Sequence, residues 1–479
     1  MPPSHPHRPP PPRRRHHHHR HHHHGGRRGS PVIVILVAIL LVVCAIALKL
    51  RDKDPAPDKP DNTLSSSVST TQAAPKPTDE PTTGEPTTQP TTEPAVRLEA
   101  TATIAATGDM LMHLPCIRPA QTANGDYNFE HYFTYLQDYI ARADYAVANL
   151  ETTLCSEDNG YEYHGYPNFN CPDGIVPSLQ NVGFDMLLTA NNHCYDTNSV
   201  GYHRTQQVLR EYGMDYTGSF SDPEQPKYLL KDINGIRIGM LCYTYEDSSD
   251  PNVVAPNGRP MTDSDEVLIN AFNVQELDTF YRTVDSQIEQ MKVEGAEAVV
   301  MYIHWGAEYQ LKQNATQEAI AQKLCDLGVD VIVGGHPHVI QPMDLLTSTE
   351  NPEHKTLCLY STGNALSNQR RNLMRLDTGH TEDGIVFSFT FSKYSDGTVR
   401  VEAAEVLPTW INLYTSNATG KKVYDVLPLD MEIEDWKTQM NLSDSTLKEA
   451  HASYERTMAI VGEGLAEIQE YLNTLPEIE

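Results

Sequence analysis

Seven residues on five short polar segments carry side chains able to hold divalent metal: Asp109, Glu151, Asn192, His193, His304, His336 and His338. Carboxylate, amide oxygen and imidazole are donors for hard and borderline cations. Two such cations ~3.5–4 Å apart stabilise both the attacking and the leaving oxygen of a hydrolytic displacement. Taken singly, each residue has a plainer reading: His304 as a packed histidine before Trp305, Glu151 as a rim carboxylate, Asn191 and Asn192 as turn formers. Their placement makes them a set. "TGDMLMH", "NLET", "ANNHCYD", "HWGAEY" and "GGHPHVIQP" each close an apolar, strand-like run, and ligands bind at the carboxyl ends of strands in open α/β sheets. His336 and His338, with Pro337 between them, can lie on one side of an extended loop and reach neighbouring ions.

The elements that must position these loops alternate in type. Strands are expected at 99–107, 145–150, 185–189, 236–244, 298–304, 329–334, 356–361, 385–391 and 399–407. Helices are expected at 129–142, 174–182, 200–212, 274–294, 316–327 and 443–475, the last stopping before Pro476. The pattern is α/β, with sheets sandwiched between helices. Residues 98–410 form the expected main domain, and 411–479 a C-terminal extension whose long helix carries an apolar stripe from Leu447 to Ile468, read as packing on its own domain.

The first hundred residues cannot form a core. Residues 1–30 are mainly Pro, His and Arg, too poor in apolar surface to fold. Val32 to Leu48 is an unbroken apolar run that as a helix spans ~26 Å, enough to cross a bilayer, so 31–50 is read as a transmembrane helix. Seven arginines before it against three bases just after it place the N-terminus in the cytoplasm and the bulk of the chain outside. Residues 51–97, with "EPTTGEPTTQPTTEP", read as a disordered, extended spacer. Net charge is −28, and beyond residue 51 there are 27 basic residues against 64 acidic ones. Such a body repels polyphosphate, which excludes nucleic acid as a partner. The eight cysteines include no CxxC pair. An extracytoplasmic setting would permit a disulfide between Cys155 and Cys171; as free thiols they would be small buried residues.

The order Asp, acid, Asn-His, His, Gly-His-x-His resembles the calcineurin-like metallophosphoesterases. More closely, "GDMLMH", "NLET", "ANNHCYD", "HWGAEY", "GGHPHVIQP" and "YSTGNALSNQ", over roughly residues 101–395, resemble the CapA (PgsA) family of capsule and poly-γ-glutamate synthesis proteins. The resemblance implies a metallophosphoesterase-like sandwich of two sheets holding two divalent ions, drawn from Mn, Zn, Mg or Fe. It assigns Asp109 and His338 to the first ion, Glu151 to the bridge, and Asn192, His304 and His336 to the second. His193 would be the general acid, oriented by Asp196.

Two departures stand out. The usual Asp-x-His histidine is missing, the next being His113, and the bridging acid is Glu rather than Asp. The site therefore holds one ion, or two of unequal affinity, unless His113 swings in. Trp305, Glu308 and Tyr309, with Tyr243, Tyr245 and Glu246, are candidates to line the mouth for substrate or to pack beneath it. Asn364 lies in a strand-end turn beside the site. Arg370, Arg371 and Arg375 are either receptors for an anionic polymer or a solvated basic turn. The resemblance implies a cell-membrane protein, acting outside with a synthetase or export complex on an anionic polymer. A stand-alone metal-dependent phosphoesterase or cell-wall polymer hydrolase is the alternative.

Overall fold

The computed structural model describes residues 95–250, 253–417, 420–430 and 433–476. The expected tail, membrane helix and nearly all of the spacer lie outside them. Among the described residues no helix is long and apolar enough to cross a membrane.

The strands are β1 (Leu98–Met110), β2 (Tyr145–Leu150), β3 (Met186–Leu188), β4 (Asp215–Thr217), β5 (Leu229–Ile233), β6 (Ile236–Glu246), β7 (Ala271–Asn273), β8 (Ala298–His304), β9 (Val331–Gly335), β10 (Met343–Thr347), β11 (Lys355–Leu359), β12 (Asn364–Leu366), β13 (Asp383–Tyr394), β14 (Val399–Thr415) and β15 (Lys422–Pro428). They form two sheets. The first runs β15-β14-β13-β1-β2-β3-β4, with β12 beside the end of β1. In it β1 to β4 are parallel, and β13, β14 and β15 continue antiparallel. The second runs β10-β11-β9-β8-β6-β5, with β7 on β6. Its four central strands are parallel and its edges antiparallel.

Side-chain alternation explains the layering. In β8, Val300 and Tyr302 face one side and Val299, Met301 and Ile303 the other. The first set meets Ile104, Val147, Phe387, Phe389, Ile238 and Val331 in a core between the sheets. The second meets Phe280, Val284, Ile288, Ile320 and Leu324 of the helices Leu277–Val293 and Ala315–Asp326. On the outer face of the first sheet, Ala146, Ala148 and Leu150 pack against Val176, Leu179, Val208 and Leu209 of the helices Ile175–Val182 and Asn198–Tyr212. The order of layers is helix, sheet, sheet, helix. An Asn314 capping box with Gln317 starts the helix Ala315–Asp326, satisfying N–H groups that would otherwise lack partners.

Several expectations are corrected. The helix expected at 129–142 is two single turns, Glu130–Phe133 and Gln137–Ile140. Its apolar spacing is helical and Phe129, Tyr132, Phe133, Leu136 and Ile140 are all buried, but adjacent aromatics are poor helix formers and the Asn128 side chain takes the Glu130 N–H. Cys155 and Cys171 are buried free thiols. The Asn170 amide clasps this segment instead, accepting from the Cys155 N–H and donating to its carbonyl, both at 2.8 Å. Arg370 and Arg371 are not polymer receptors, because both are bound to the buried Glu382, and Arg371 also to Glu449. β14 runs unbroken through residue 410, so the extension shares a sheet with the main domain.

The helix Asp444–Thr474 packs on its own domain, with Val461, Leu465 and Ile468 in the core between the sheets. Asp383, 1 % exposed, fastens it, accepting from Ser453 Oγ at 2.6 Å and from Arg456 Nε and Nη2 at 2.8 and 2.7 Å. Removing the guanidinium strands a buried carboxylate. Arg456→Ala should cost about 3 kcal/mol, read as a lower midpoint in urea denaturation. An unchanged midpoint would show that the clasp is dispensable.

Candidate metal centre

The first donor comes from a dislocation in β1. Ala102, Ile104 and Ala106 face the core between the sheets, whereas Met110, in the same phase, faces the outer helices. The register of β1 slips between Thr107 and Asp109, a bulge that re-aims the strand end. Gly108 is required there, since a Cβ would stand 2.0 Å from the Gly363 carbonyl oxygen. The slip turns Asp109 inward. In β2 no slip is needed, because Tyr145 and Val147 face the inter-sheet core and Asn149 and Glu151 continue their alternation. His304 likewise continues the Val300 and Tyr302 face of β8. His336 and His338 follow β9 on a loop that is not extended as expected. Both have positive φ, 95° and 55°, a conformation unfavourable for residues with a Cβ and typical of functional sites.

These side chains converge in two groups. Glu151, His304 and His336 form one and Asp109, Glu151 and His338 the other, with donor atoms within 4.8 Å of one another in each. All are buried. Glu151 belongs to both, its Oε1 3.6 Å from His304 Nε2 and 3.7 Å from His338 Nε2. Asn192 joins the first group, its Oδ1 accepting from His304 Nε2 at 2.9 Å. The structure thus brings Asp109, Glu151, Asn192, His304, His336 and His338 together in two groups that share Glu151.

Electrostatics and satisfaction both mark a cation site. Buried polar atoms are nearly always hydrogen-bonded, yet Glu151 Oε1 and His336 Nδ1 have no partner. The donor set, with no thiolate, suits the divalent ions named above. Burial and the charges of His304 and His338 hold His336 well below the usual imidazole range, leaving it neutral as a ligand must be. Burial also disfavours a charged His338, but Glu151 and Asp109 push its pKa up to about 9. Burial is the largest influence on Asp109 and opposes its ionisation, but the hydrogen bond and charge of His338, the charge of His304 and the Asn149 hydrogen bond together outweigh it, so its pKa is lowered. The His338 imidazolium therefore supplies the positive charge that a cation between the two carboxylates would otherwise bring.

Beside the two groups, His193 Nδ1 donates to Asp196 Oδ2 at 2.7 Å, and the Phe169 N–H donates to the same oxygen at 2.5 Å. The Phe169 ring stands on edge against His193, with centroids 4.7 Å apart. This fixes the imidazole through its Nδ1 edge. Other expected roles change. His113 does not join either group; its Nδ1 lies between the Leu111 carbonyl and the Asn368 N–H, and burial lowers its pKa to about 4. Trp305 is 1 % exposed and donates to the Tyr360 carbonyl, so it packs behind the site rather than lining it. Asn364 is fully buried and clasps the His338, Thr381 and Gln369 oxygens, making it a positioning residue. Glu308 is exposed beside Tyr309, whose ring lies 6.2 Å from that of His338; Tyr245 covers His336 at 4.7 Å.

Two residues outside the expected set brace the donors. Asn149 donates to Asp109 Oδ1 at 2.8 Å, and Asn191 donates to Asn149 Oδ1 at 3.0 Å and caps the His193 N–H. The signal for Asn149 was present, as the single polar residue of an otherwise apolar strand two places before Glu151.

The fold is a two-sheet α/β sandwich that gathers, at its strand ends, two groups of candidate metal donors around one shared carboxylate. The pattern of the family described as bacterial capsule synthesis protein PGA_cap matches residues 103–369, and the chain belongs to that family. Relatives include the capsule biosynthesis protein CapA of Bacillus anthracis, 27% identical over 272 residues covering 56% of this chain and 60% of that one. Another is the PGA biosynthesis protein CapA of Bacillus subtilis (strain 168), 27% identical over 242 residues covering 50% and 57%. The match spans about three fifths of the relatives' length. Among solved structures, TT1561 of Thermus thermophilus aligns at a TM-score of 0.32 and 7% identity over 60% of this chain and 93% of that one, too loosely to bear on the fold.

Sharing of Glu151 sets an asymmetric expectation for metal content measured by elemental analysis after Mn²⁺ loading. Glu151→Gln should lose metal from both groups, and His304→Ala from one. Equal losses would remove Glu151 from the bridging place. Metal must also displace the His338 proton, so apparent affinity measured by titration calorimetry should rise with pH toward about 9.

Proposed function

We propose that this chain is a membrane-anchored, extracytoplasmic component of the synthesis or export of an anionic extracellular polymer, poly-γ-glutamate or capsule, working at a divalent-metal centre beside a membrane-embedded synthetase. Family membership and the names of the Bacillus relatives support the process. The apolar run at 32–48 and the Thr/Pro-rich spacer support the anchoring and the cell-surface location. The observation that carries the metal-centred reading is the unpartnered Glu151 Oε1 lying between the two donor groups.

Asp109 and His338 would hold one ion, Asn192, His304 and His336 the other, and Glu151 both. Bound there, the ions would supply Lewis-acid stabilisation of charge developing on a phosphoryl or carbonyl oxygen. The chain's own part is to exclude water by burial of every donor, to brace Asp109 through Asn149, and to present His193. With Nδ1 held by Asp196, Nε2 is the atom that exchanges a proton with a substrate. That pair favours a hydrolytic or transfer step over a purely scaffolding role, and keeps the stand-alone phosphoesterase or polymer hydrolase as the second reading.

Replacing the chromosomal copy with a His336→Ala, His338→Ala double variant should abolish cell-surface anionic polymer while the protein remains at wild-type abundance. Unchanged polymer would overturn the metal-centred reading. If the purified protein with Mn²⁺ cleaves a model phosphodiester, and His193→Ala lowers that rate at least a hundredfold, the hydrolase reading replaces it.

A further inference from the structure

We propose that Arg259 is the residue that recognises a carboxylate of the polymer chain at the His193 side of the metal centre, a proposal that rests on the anionic-substrate reading above. The segment between β6 and β7 carries Arg259 to the loop that supports the acid–histidine pair. Its Nη2 donates to Asn168 Oδ1 at 2.8 Å and its Nη1 to Asn198 Oδ1 at 3.0 Å. Asn168 directly precedes Phe169, whose N–H and ring both bear on the Asp196–His193 pair. Asn198 lies two residues after Asp196 and donates from its Nδ2 to the Tyr161 hydroxyl at 3.2 Å, closing the same loop. The guanidinium therefore sits on the shelf that orients His193.

Its partners set it apart from the arginines that brace the fold. Arg204, Arg371 and Arg456 are neutralised by Asp173, Glu382 with Glu449, and Asp383. Arg259 is held by two neutral amides, and among the described residues no carboxylate lies within ion-pair distance of it. The nearby Asp247 carboxylate accepts the Gly258 N–H at 2.8 Å. Asp265, on the same segment, faces Tyr195 and His203. Two of the five guanidinium donors are used, leaving three for a ligand in the fork geometry that matches a carboxylate.

The fork is also fixed in advance. The Asn168 and Asn198 oxygens hold the guanidinium, and the Arg259 N–H closes a backbone turn on the Pro256 carbonyl at 3.0 Å, so less side-chain freedom remains to be lost on binding. In a body with 27 basic residues against 64 acidic ones beyond residue 51, an immobilised and uncompensated cation at this place is a local reversal of sign. It admits a negatively charged chain that the rest of the surface repels.

The test uses the full-length protein in detergent, loaded with Mn²⁺, and fluorescence anisotropy with three labelled decamers: γ-glutamate, its neutral γ-glutamine counterpart, and glycerol phosphate. The wild type should bind the γ-glutamate decamer at least tenfold more tightly than the other two. Arg259→Gln should weaken that binding at least tenfold and flatten its salt dependence, with metal content and thermal midpoint unchanged. Arg259→Lys should restore part of the affinity and the salt dependence, which a residue that merely braces Asn168 would not do. Arg142→Gln, at a cation placed over the Tyr139 ring, should have no effect.

Wild-type binding of none of the decamers, or γ-glutamate binding by Arg259→Gln within twofold of wild type, would overturn the proposal. An Arg259-dependent preference for the phosphate decamer would overturn the carboxylate assignment. Failure of the polymer-synthesis reading shows separately, in cell-surface polymer from the His336 and His338 double variant.

Discussion

Two carboxylates buried side by side are the constraint around which this domain is arranged. Asp109 and Glu151 are both without solvent exposure, and negative charge in that setting persists only with positive charge beside it. His338 supplies one such charge, and the unpartnered Glu151 oxygen shows that the compensation is incomplete. The two sheets can meet at this edge because something cationic belongs between their strand ends. Packing alone would have put apolar side chains there.

That constraint accounts for local features that would otherwise be costly. The bulge at Gly108 gives up ladder regularity to turn one carboxylate inward. The paired left-handed residues His336 and His338 store backbone strain, and the surroundings hold them there. Asn364 binds the His338 carbonyl, and the His336 N–H binds Asp109. Trp305 and Gly334 share the same economy, since a Cβ on Gly334 would stand 2.6 Å from the indole nitrogen. The strained loop is seated on a packed aromatic floor.

Much of this was legible in the sequence because the candidate donors sit at the ends of apolar strands, where a polar residue is conspicuous. Strand alternation also carried information that residue type obscured. Trp305 reads as a pocket residue by its chemistry, but it shares the phase of Ile303 and so faces the outer helices. The three-residue strands β3, β4, β7 and β12 are too short to establish a period, and of these only β3, preceded by Asp185, was expected. The turns at 130–140 had the right spacing and the wrong residues for a continuous helix. Arg370 and Arg371 could not be told from binding residues because their acidic partners, Glu382 and Glu449, are remote in sequence.

Leu98 is the first residue of the strand that carries Asp109 one place before its end, and from Leu98 to Thr107 that strand is hydrogen-bonded to β13, with β2 on its other side from Ile104. A pull directed along this strand from its Leu98 end would load two hydrogen-bond ladders in shear at once, so that many bonds would have to yield together. Near the far end of that line stands Asp109, so the strand that would take such a load also carries one of the candidate donors.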